Sequence, residues 1–497
     1  MQLVELLKDW PCHVKGSVRI NVQSIADNSK DVVKNCMFIM HSGKHFKGES
    51  FIEEARDKGA HIFVTDNEQL YEQWNASETL VWVPNSRTFT AYAAHRFLGE
   101  PSNAIQIIAI TGTNGKTTVS HFIGQLAQKI GLSVLVIGTN GVFVNGMKDN
   151  TVQDTLTTKS AITMHKLFKR AIDEGIDLVV LEASSMGLEM ARLDYCAIDV
   201  GVFLNLSHEH LDDHETLEKY KLAKRKLIPL CDELLCNADD LFCQSVALKA
   251  NQPKKLYSCK NKGNINLQVL HETEKDCLVK IILDDTQEVC YLPFAEPFMQ
   301  SNACAAISAL LMLGYPLNKL IEGTSKLVLP EGRMNKVTKD NGAQIIIDYA
   351  HTPEAFKRVL QHVSSYCKGK VITVFSCGGG RDPSKRQEMG RIASKYSDLI
   401  ILTTDNCRNE DPNDINAQIK EGFFLTQVYK QILDRKKAIA YALQVAESED
   451  VVCVLGKGHE TQQIIGDTTF SFSDLEAVHH VLIGLHDEKE VSSDGLK

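Results

Sequence analysis

Several short stretches of the chain combine residue types that bind phosphate, hold a metal or grip a charged ligand. The first is Gly112-Thr113-Asn114-Gly115-Lys116-Thr117-Thr118. Its glycines let backbone N–H groups face an anion, and a helix starting here adds the partial positive charge of its N-terminus. Lys116 can reach terminal phosphates and the Thr117 hydroxyl can hold Mg²⁺. The second is Glu182-Ala183-Ser184-Ser185, whose carboxylate suits Mg²⁺ beside a phosphate loop. The third, 207–214, holds three histidines and three acids in eight residues. Its spacing is not HExxH, and Mg²⁺ chemistry fits the neighbouring loops better than zinc. Four more follow later: Asp348-Tyr349-Ala350-His351-Thr352-Pro353, Cys377-Gly378-Gly379-Gly380-Arg381-Asp382, Asp405-Asn406-Cys407-Arg408 and Gly456-Lys457-Gly458-His459-Glu460. Each alone reads as a capped turn. Together, a cation, carboxylates and an amide fit recognition of an amino acid.

The elements around them explain why such loops would meet. Apolar runs at 105–110, 133–137, 178–181 and 200–206 read as buried strands. Val119, Phe122, Ile123, Leu126, Ala127 and Ile130 keep helical spacing. The same alternation recurs at 344–347, 371–375, 399–402 and 451–455, and 302–313 is helix-like. Strand–helix alternation predicts α/β domains with parallel sheets, whose ligands sit beyond the carboxyl ends of the strands. Pro- and Gly-containing breaks at 99–102 and 329–332 divide the 497 residues into 1–100, 101–329 and 330–486, with a polar, frayed tail at 487–497.

Composition narrows the function. The chain carries 54 Lys+Arg against 63 Asp+Glu, a net charge of −9, which disfavours a nucleic-acid binder. No apolar run approaches the roughly 18 residues of a membrane span. The N-terminus lacks a signal-peptide core, and the 14 cysteines form no CxxC pair, so a cytoplasmic, reduced protein is expected.

Taken in order and spacing, 112–118 (GTNGKTT), 205–214 (NLSHEHLDDH), 348–353 (DYAHTP), 378–382 (GGGRD) and 456–460 (GKGHE) resemble the Mur ligase family, ATP-dependent amide-bond-forming enzymes of bacterial cell-wall synthesis. The resemblance covers essentially the whole chain. It is strongest to the branch adding the third residue of the stem peptide. It implies a uridine-nucleotide-binding first domain, a central P-loop ATPase domain with a mostly parallel sheet, and a Rossmann-like C-terminal domain. The implied chemistry joins meso-diaminopimelate to UDP-N-acetylmuramoyl-L-alanyl-D-glutamate through an acyl phosphate. A diverged paralogue adding L-lysine or another amino acid to a different carboxylate is the alternative.

The same resemblance assigns roles. Gly112 to Thr118, Asn302, Arg333, Asp348 and His351 would surround ATP. Thr117, Glu182, His210 and Lys224 would hold Mg²⁺, Lys224 as its carbamate, with Lys116, Glu182, His210 and Lys224 the catalytic set. Ser29, His45, Thr157, Thr158, Ser184 and Arg192 would meet the UDP-sugar peptide. Arg381, Asp405, Asn406, Arg408, Gly456 and Glu460 would bind the amino acid. It implies a monomer acting on small molecules, with neither nucleic acid nor membrane as partner. The sequence departs from the family pattern at Asn28, Lys30, Lys47, Lys159, Met186, Asn335 and Cys407. Lys159 and Cys407 both stand where the family has proline. Arg408 is the residue expected to choose diaminopimelate, since a guanidinium pairs with its distal carboxylate and lysine has none.

Overall fold

The computed structural model describes residues 1–43, 47–207 and 214–494, with 485–494 as backbone only. Among these residues the apolar runs lie in three principal sheets. In the first, the strand order is His13–Lys15, Thr79–Trp82, Ala60–Thr65, Cys36–Ile39 and Ser24–Ala26. The first pair is antiparallel and the rest are parallel.

The second sheet has a parallel centre. Gln106–Thr111 lies between Ile198–Phe203 and Leu178–Glu182, and Val134–Gly138 flanks the latter. Cys231–Asn237 and Lys254–Ser258 continue it on the other side. The four central strands are mostly apolar and buried, as expected where helices cover both faces, whereas Lys254–Ser258 buries only Tyr257 and Ser258. Antiparallel arms close each edge, Ile265–Glu272, Cys277–Leu283 and Thr286–Leu292 on one side and Gly141–Val144 and Met147–Lys148 on the other.

The third sheet runs Asn335–Thr338, Gln344–Asp348, Val451–Leu455, Val371–Phe375, Leu399–Leu402 and Tyr429–Gln431, parallel after the first pair. Residues 100–101 and 329–330 fall in the connections between sheets. The strand order decides which loops meet. Loops after 111, 182 and 203 leave adjacent parallel strands at one sheet edge. So do loops after 348, 375, 402 and 455.

Sequence and structure differ locally. The helix after the first glycine loop begins at Lys116, before the apolar periodicity starts, because its first turn is polar. The helix read at 302–313 is Pro297–Met312, opened by a proline at its first position. The last helix, Asp474–Asp494, continues past residue 487, so the stretch read as a frayed tail is helical to 494; no proline interrupts it. All 14 cysteines are free thiols, most of them buried. No helix among the described residues is long and apolar enough to cross a membrane.

Two buried ionic contacts tie elements together near the loops. Glu296, fully buried before Pro297–Met312, lies 2.9 Å from Lys336 Nζ and 3.6 Å from His362 Nε2, both of the third sheet's elements. Burial works to raise the Glu296 carboxyl, but His362 and Lys336 outweigh it and hold the group at about 2. Arg435 donates from Nε and Nη2 to Asp474 at 2.7 and 2.8 Å, with both side chains fully buried. Its Nη2 also donates to Leu455 O at 3.0 Å, at the strand end that leads into 456–460.

Removing one member of such a pair strands a buried charge. Arg435→Ala should lower stability by about 3–5 kcal/mol in equilibrium urea denaturation; a loss below about 1 kcal/mol would show that the pair does not anchor the last helix.

Candidate active site

The phosphate-type loop is built by its neighbours. Gly115 has φ 93°, and a Cβ there would lie 2.6 Å from Asn302 Oδ1, so only glycine fits. Asn205 clamps the loop: its Oδ1 accepts from Asn114 N and its Nδ2 donates to Asn114 O, both at 2.9 Å. Thr113 Oγ1 accepts from Ser207 N at 3.0 Å and meets the buried Tyr220 hydroxyl at 3.1 Å. Lys116 Nζ donates to the carbonyls of Gly112 and Thr113 at 2.9 and 3.0 Å, which holds the ammonium over the loop. Thr117 and Thr118 are buried in the first helical turn.

Glu182 ends the neighbouring strand and is buried. Thr139 donates its N–H to Oε1 at 3.0 Å and its hydroxyl to Oε2 at 2.9 Å, which fixes the carboxylate plane. Lys224 is buried in helix Leu217–Arg225, its Nζ 4.6 Å from the Tyr220 ring centroid, so it sits behind the same loop. A buried carboxylate oriented by hydroxyl and amide, with the Thr117 hydroxyl in the first turn of the helix that follows the adjacent strand, is an oxygen-rich donor set that fits a hard divalent cation. His210 and His45 lie outside the described residues.

The paired threonines stand beside Glu182. Thr157 Oγ1 meets Thr139 Oγ1 at 3.2 Å. Thr158 Oγ1 donates to Glu182 O at 2.8 Å and accepts from Ser184 N at 2.9 Å. Ser184 caps helix Ser185–Glu189, and Arg192 Nη1 donates to Thr158 O at 2.9 Å. These four predicted residues therefore form one bonded group. Ser29 is separate from them: it is buried in the first sheet's unit and donates to Glu54 Oε2 at 2.8 Å.

From the third sheet, Arg333 reaches back to the loop, with Nη2 3.4 Å from Thr117 Oγ1 and its guanidinium 4.9 Å from the Tyr349 ring centroid. Asp348 accepts from Met334 N at 2.8 Å and Ala350 N at 2.7 Å. Burial pushes its carboxyl up, against the opposing effect of Arg333. His351 Nδ1 lies 2.8 Å from Tyr349 O. His459 packs on Tyr349 with ring centroids 4.9 Å apart.

Arg381, Asp405, Asn406, Arg408, Gly456 and Glu460 all line one cavity of about 640 Å³, which Thr157 and His351 also border. Arg408 holds φ 51°, unusual for a non-glycine residue. Two backbone bonds to the hairpin Gln462–Ile465 and Thr468–Ser471 lock it there: Arg408 N to Ile464 O at 3.2 Å and Gly466 N to Arg408 O at 2.7 Å. Arg408 Nη1 donates to Gly379 O at 2.7 Å and Asn406 O at 3.2 Å. Its Nε and Nη2 have no partner among the described residues, which leaves one edge of the guanidinium for a carboxylate.

Lys457 was not singled out from sequence. It is fully buried and donates to Asn406 Oδ1 at 3.1 Å and Glu460 Oε2 at 2.8 Å, with Asp405 Oδ1 at 3.8 Å. It fixes three predicted ligand contacts at once; its position inside GKGHE was the signal. Thr139, Asn205 and Tyr220 organise the loops in the same indirect way.

A family model described as "Mur ligase middle domain" matches residues 110–310, and one described as "Mur ligase, glutamate ligase domain" matches 332–458. The chain is 34% identical over 484 residues to the UDP-N-acetylmuramoyl-L-alanyl-D-glutamate–2,6-diaminopimelate ligase 2 of Clostridium acetobutylicum, covering 97% of this chain and 100% of that protein. It is 35% identical over 485 residues to the diaminopimelate ligase of Caldanaerobacter subterraneus subsp. tengcongensis, covering 97% and 99%. A solved structure of a ligase of the same name aligns with TM-score 0.67 at 28% identity, over 98% of this chain and 99% of the other.

Burial and the facing Arg333 keep His459 neutral, with its pKa drawn down to about 3. Its ring signals should therefore stay unchanged in NMR spectra from pH 8 to pH 5; a midpoint near the ordinary value of about 6.5 would contradict its enclosed position.

Proposed function

Because the chain belongs to the Mur ligase family of ATP-dependent, amide-bond-forming ligases, we propose that it joins meso-diaminopimelate to UDP-N-acetylmuramoyl-L-alanyl-D-glutamate. The observation that carries this reading is the placement of Arg408, Asn406 and Glu460 with Arg381 around one cavity. A guanidinium with a free edge, a second arginine and flanking carboxylates complement a ligand bearing two amino-acid ends. The names of the relatives favour the same substrate.

The chemistry proceeds in two transfers. An oxygen of the glutamate side-chain carboxylate attacks the γ-phosphorus of ATP, the bond to the bridging oxygen breaks, and ADP leaves. The amine of diaminopimelate then attacks the acyl carbon; the C–O bond breaks, phosphate leaves and the amine loses a proton. Lys116 turns its ammonium from the carbonyls of Gly112 and Thr113 to the phosphates, where it offsets developing charge. The amide groups of 112–118 and the first turn of Lys116–Lys129 bind the β- and γ-phosphates. Asn302, Arg333, Asp348 and His351 frame the rest of the nucleotide. Thr157, Thr158, Ser184 and Arg192 orient the peptide carboxylate, and Ser29 and His45 serve the uridine end. Mg²⁺, held by Thr117, Glu182, His210 and the Lys224 carbamate, would neutralise phosphate charge. Arg381, Asp405, Gly456 and Glu460 seat the α-amino-acid end and Arg408 the distal carboxylate.

In this reading residues 1–100 form the nucleotide-sugar domain, 101–329 the ATPase domain and 330–486 the amino-acid domain. The protein works as a cytoplasmic monomer on these small molecules.

Phosphate release by the purified protein with Mg²⁺, ATP and UDP-N-acetylmuramoyl-L-alanyl-D-glutamate tests the proposal. Release is expected with meso-diaminopimelate and not with L-lysine; release with lysine alone would reject Arg408 as selector. Lys116→Ala should reduce turnover at least about 10³-fold, and near-normal turnover would remove it from the phosphate site. Arg408→Ala should raise the KM for diaminopimelate about 100-fold, on the order of 3 kcal/mol for two charged hydrogen bonds, while the KM for ATP stays within about twofold. Equal effects on both substrates would count against the assignment.

A further inference from the structure

Lys159 follows the paired threonines and is fully buried. A buried ammonium is costly unless it is hydrogen-bonded and near opposite charge, so a lysine kept in such a place has a partner to serve. Its Nζ donates to Leu156 O at 2.7 Å and to Gly138 O at 3.3 Å. Both acceptors are strategic. Gly138 ends strand Val134–Gly138 and is followed by Thr139, which grips both oxygens of Glu182. Gly138 packs so tightly on the Glu182 carboxylate that no Cβ fits there. Leu156 is followed by Thr157 and Thr158, and Thr157 Oγ1 meets Thr139 Oγ1.

The loop that carries Lys159 is folded by one carboxylate, while Thr158 holds it to Glu182 O and Ser184 N. Asp154 accepts from Leu156 N at 3.0 Å and from Ser160 N at 2.7 Å. Burial favours the neutral amine of Lys159, as does Lys148, while Asp154 and Glu182 favour its charge. The side chain's bonds run from the threonine loop, at Leu156 O, to the strand end beside Glu182, at Gly138 O.

We propose that Lys159 is a positioning residue, whose ammonium braces the turn at 138–139 against the turn at 156–158 and so sets the distance between Glu182 and the threonines that receive the substrate carboxylate. Asp154 folds the threonine loop on itself; Lys159 docks it onto the strand end. Without the ammonium, the carbonyls of Gly138 and Leu156 lose their shared donor, and only the bonds of Thr158 and Thr157 are left to set the threonines against Glu182. The inference rests on the reading of Thr157 and Thr158 as contacts of the acceptor substrate.

The test combines direct binding with kinetics. Lys159→Met keeps the length of the side chain and removes the N–H donors. Calorimetric titration with UDP-N-acetylmuramoyl-L-alanyl-D-glutamate, without ATP or metal, should show Kd raised about tenfold, matching one or two lost positioning hydrogen bonds. The KM for this substrate should rise with it, kcat should fall, and the KM for ATP and the melting temperature should stay close to wild type. Lys159→Gln, which retains a donor, should fall between; it carries the test if the methionine variant does not fold. Thr139→Val should reproduce the pattern, and the double variant should lose less than the product of the single losses, because both act on one brace. A folded Lys159 variant with unchanged acceptor Kd would overturn the inference, as would losses spread equally over ATP, acceptor and thermal stability. Wild-type protein that releases no phosphate with any amino acid would instead refute the function proposed above.

Discussion

A carboxylate and a triphosphate repel each other, and an acyl phosphate forms only where that repulsion is overcome. The structure answers this with fixed positive and dipolar groups at the ends of adjacent parallel strands. Lys116 is held over the glycine loop by two carbonyls, and the loop is held by Asn205 and Tyr220. Arg333 approaches from the third sheet and reaches Thr117. Glu182, itself an anion, is clamped by Thr139. Such a carboxylate beside a phosphate site makes sense as one side of a cation's shell. Charge of this kind, once Lys116 has turned to the bound phosphates, costs no further rearrangement at the moment of reaction.

The second step asks for something different, a seat for an amine that excludes poorly matched side chains. Here the third sheet supplies polar groups that check one another. Lys457 fixes Asn406 and Glu460, and the terminal hairpin fixes Arg408 in a left-handed conformation. Among the described residues the second and third sheets' units share one apolar cluster, and polar contacts also join them: Arg333 on Thr117, Asn140 on Glu331, and Lys336 and His362 on Glu296.

Much of this was legible in sequence because parallel sheets impose it. Buried strands such as Val371–Phe375 and Val451–Leu455 are almost unbroken apolar runs, flanked by Lys370 and Ser376 and by Asp450 and Gly456, so both ends could be read. The loops after them share a sheet edge, which is why the six residues expected around the amino acid line a single cavity. The antiparallel arm was not legible. Ile265–Glu272 buries only Ile265 and Leu267, and Thr286–Leu292 buries only Cys290 and Leu292, so neither shows a clean apolar alternation. Lysines 159 and 457 were missed as organisers for a related reason. Apart from the motif around Lys457, nothing in the local sequence distinguishes a lysine that reaches water from one that a folded loop encloses. The hairpin's hold on Arg408 joins residues more than fifty positions apart, and could only emerge with the fold.

The chemistry requires that the substrate carboxylate is phosphorylated before the amine attacks. The direct test labels the glutamate side-chain carboxylate of UDP-N-acetylmuramoyl-L-alanyl-D-glutamate with ¹⁸O and analyses the released phosphate by mass spectrometry after turnover with diaminopimelate. One labelled oxygen should appear in each phosphate formed, because the attacking carboxylate oxygen leaves with the phosphoryl group. Turnover that yields amide and unlabelled phosphate would contradict the account.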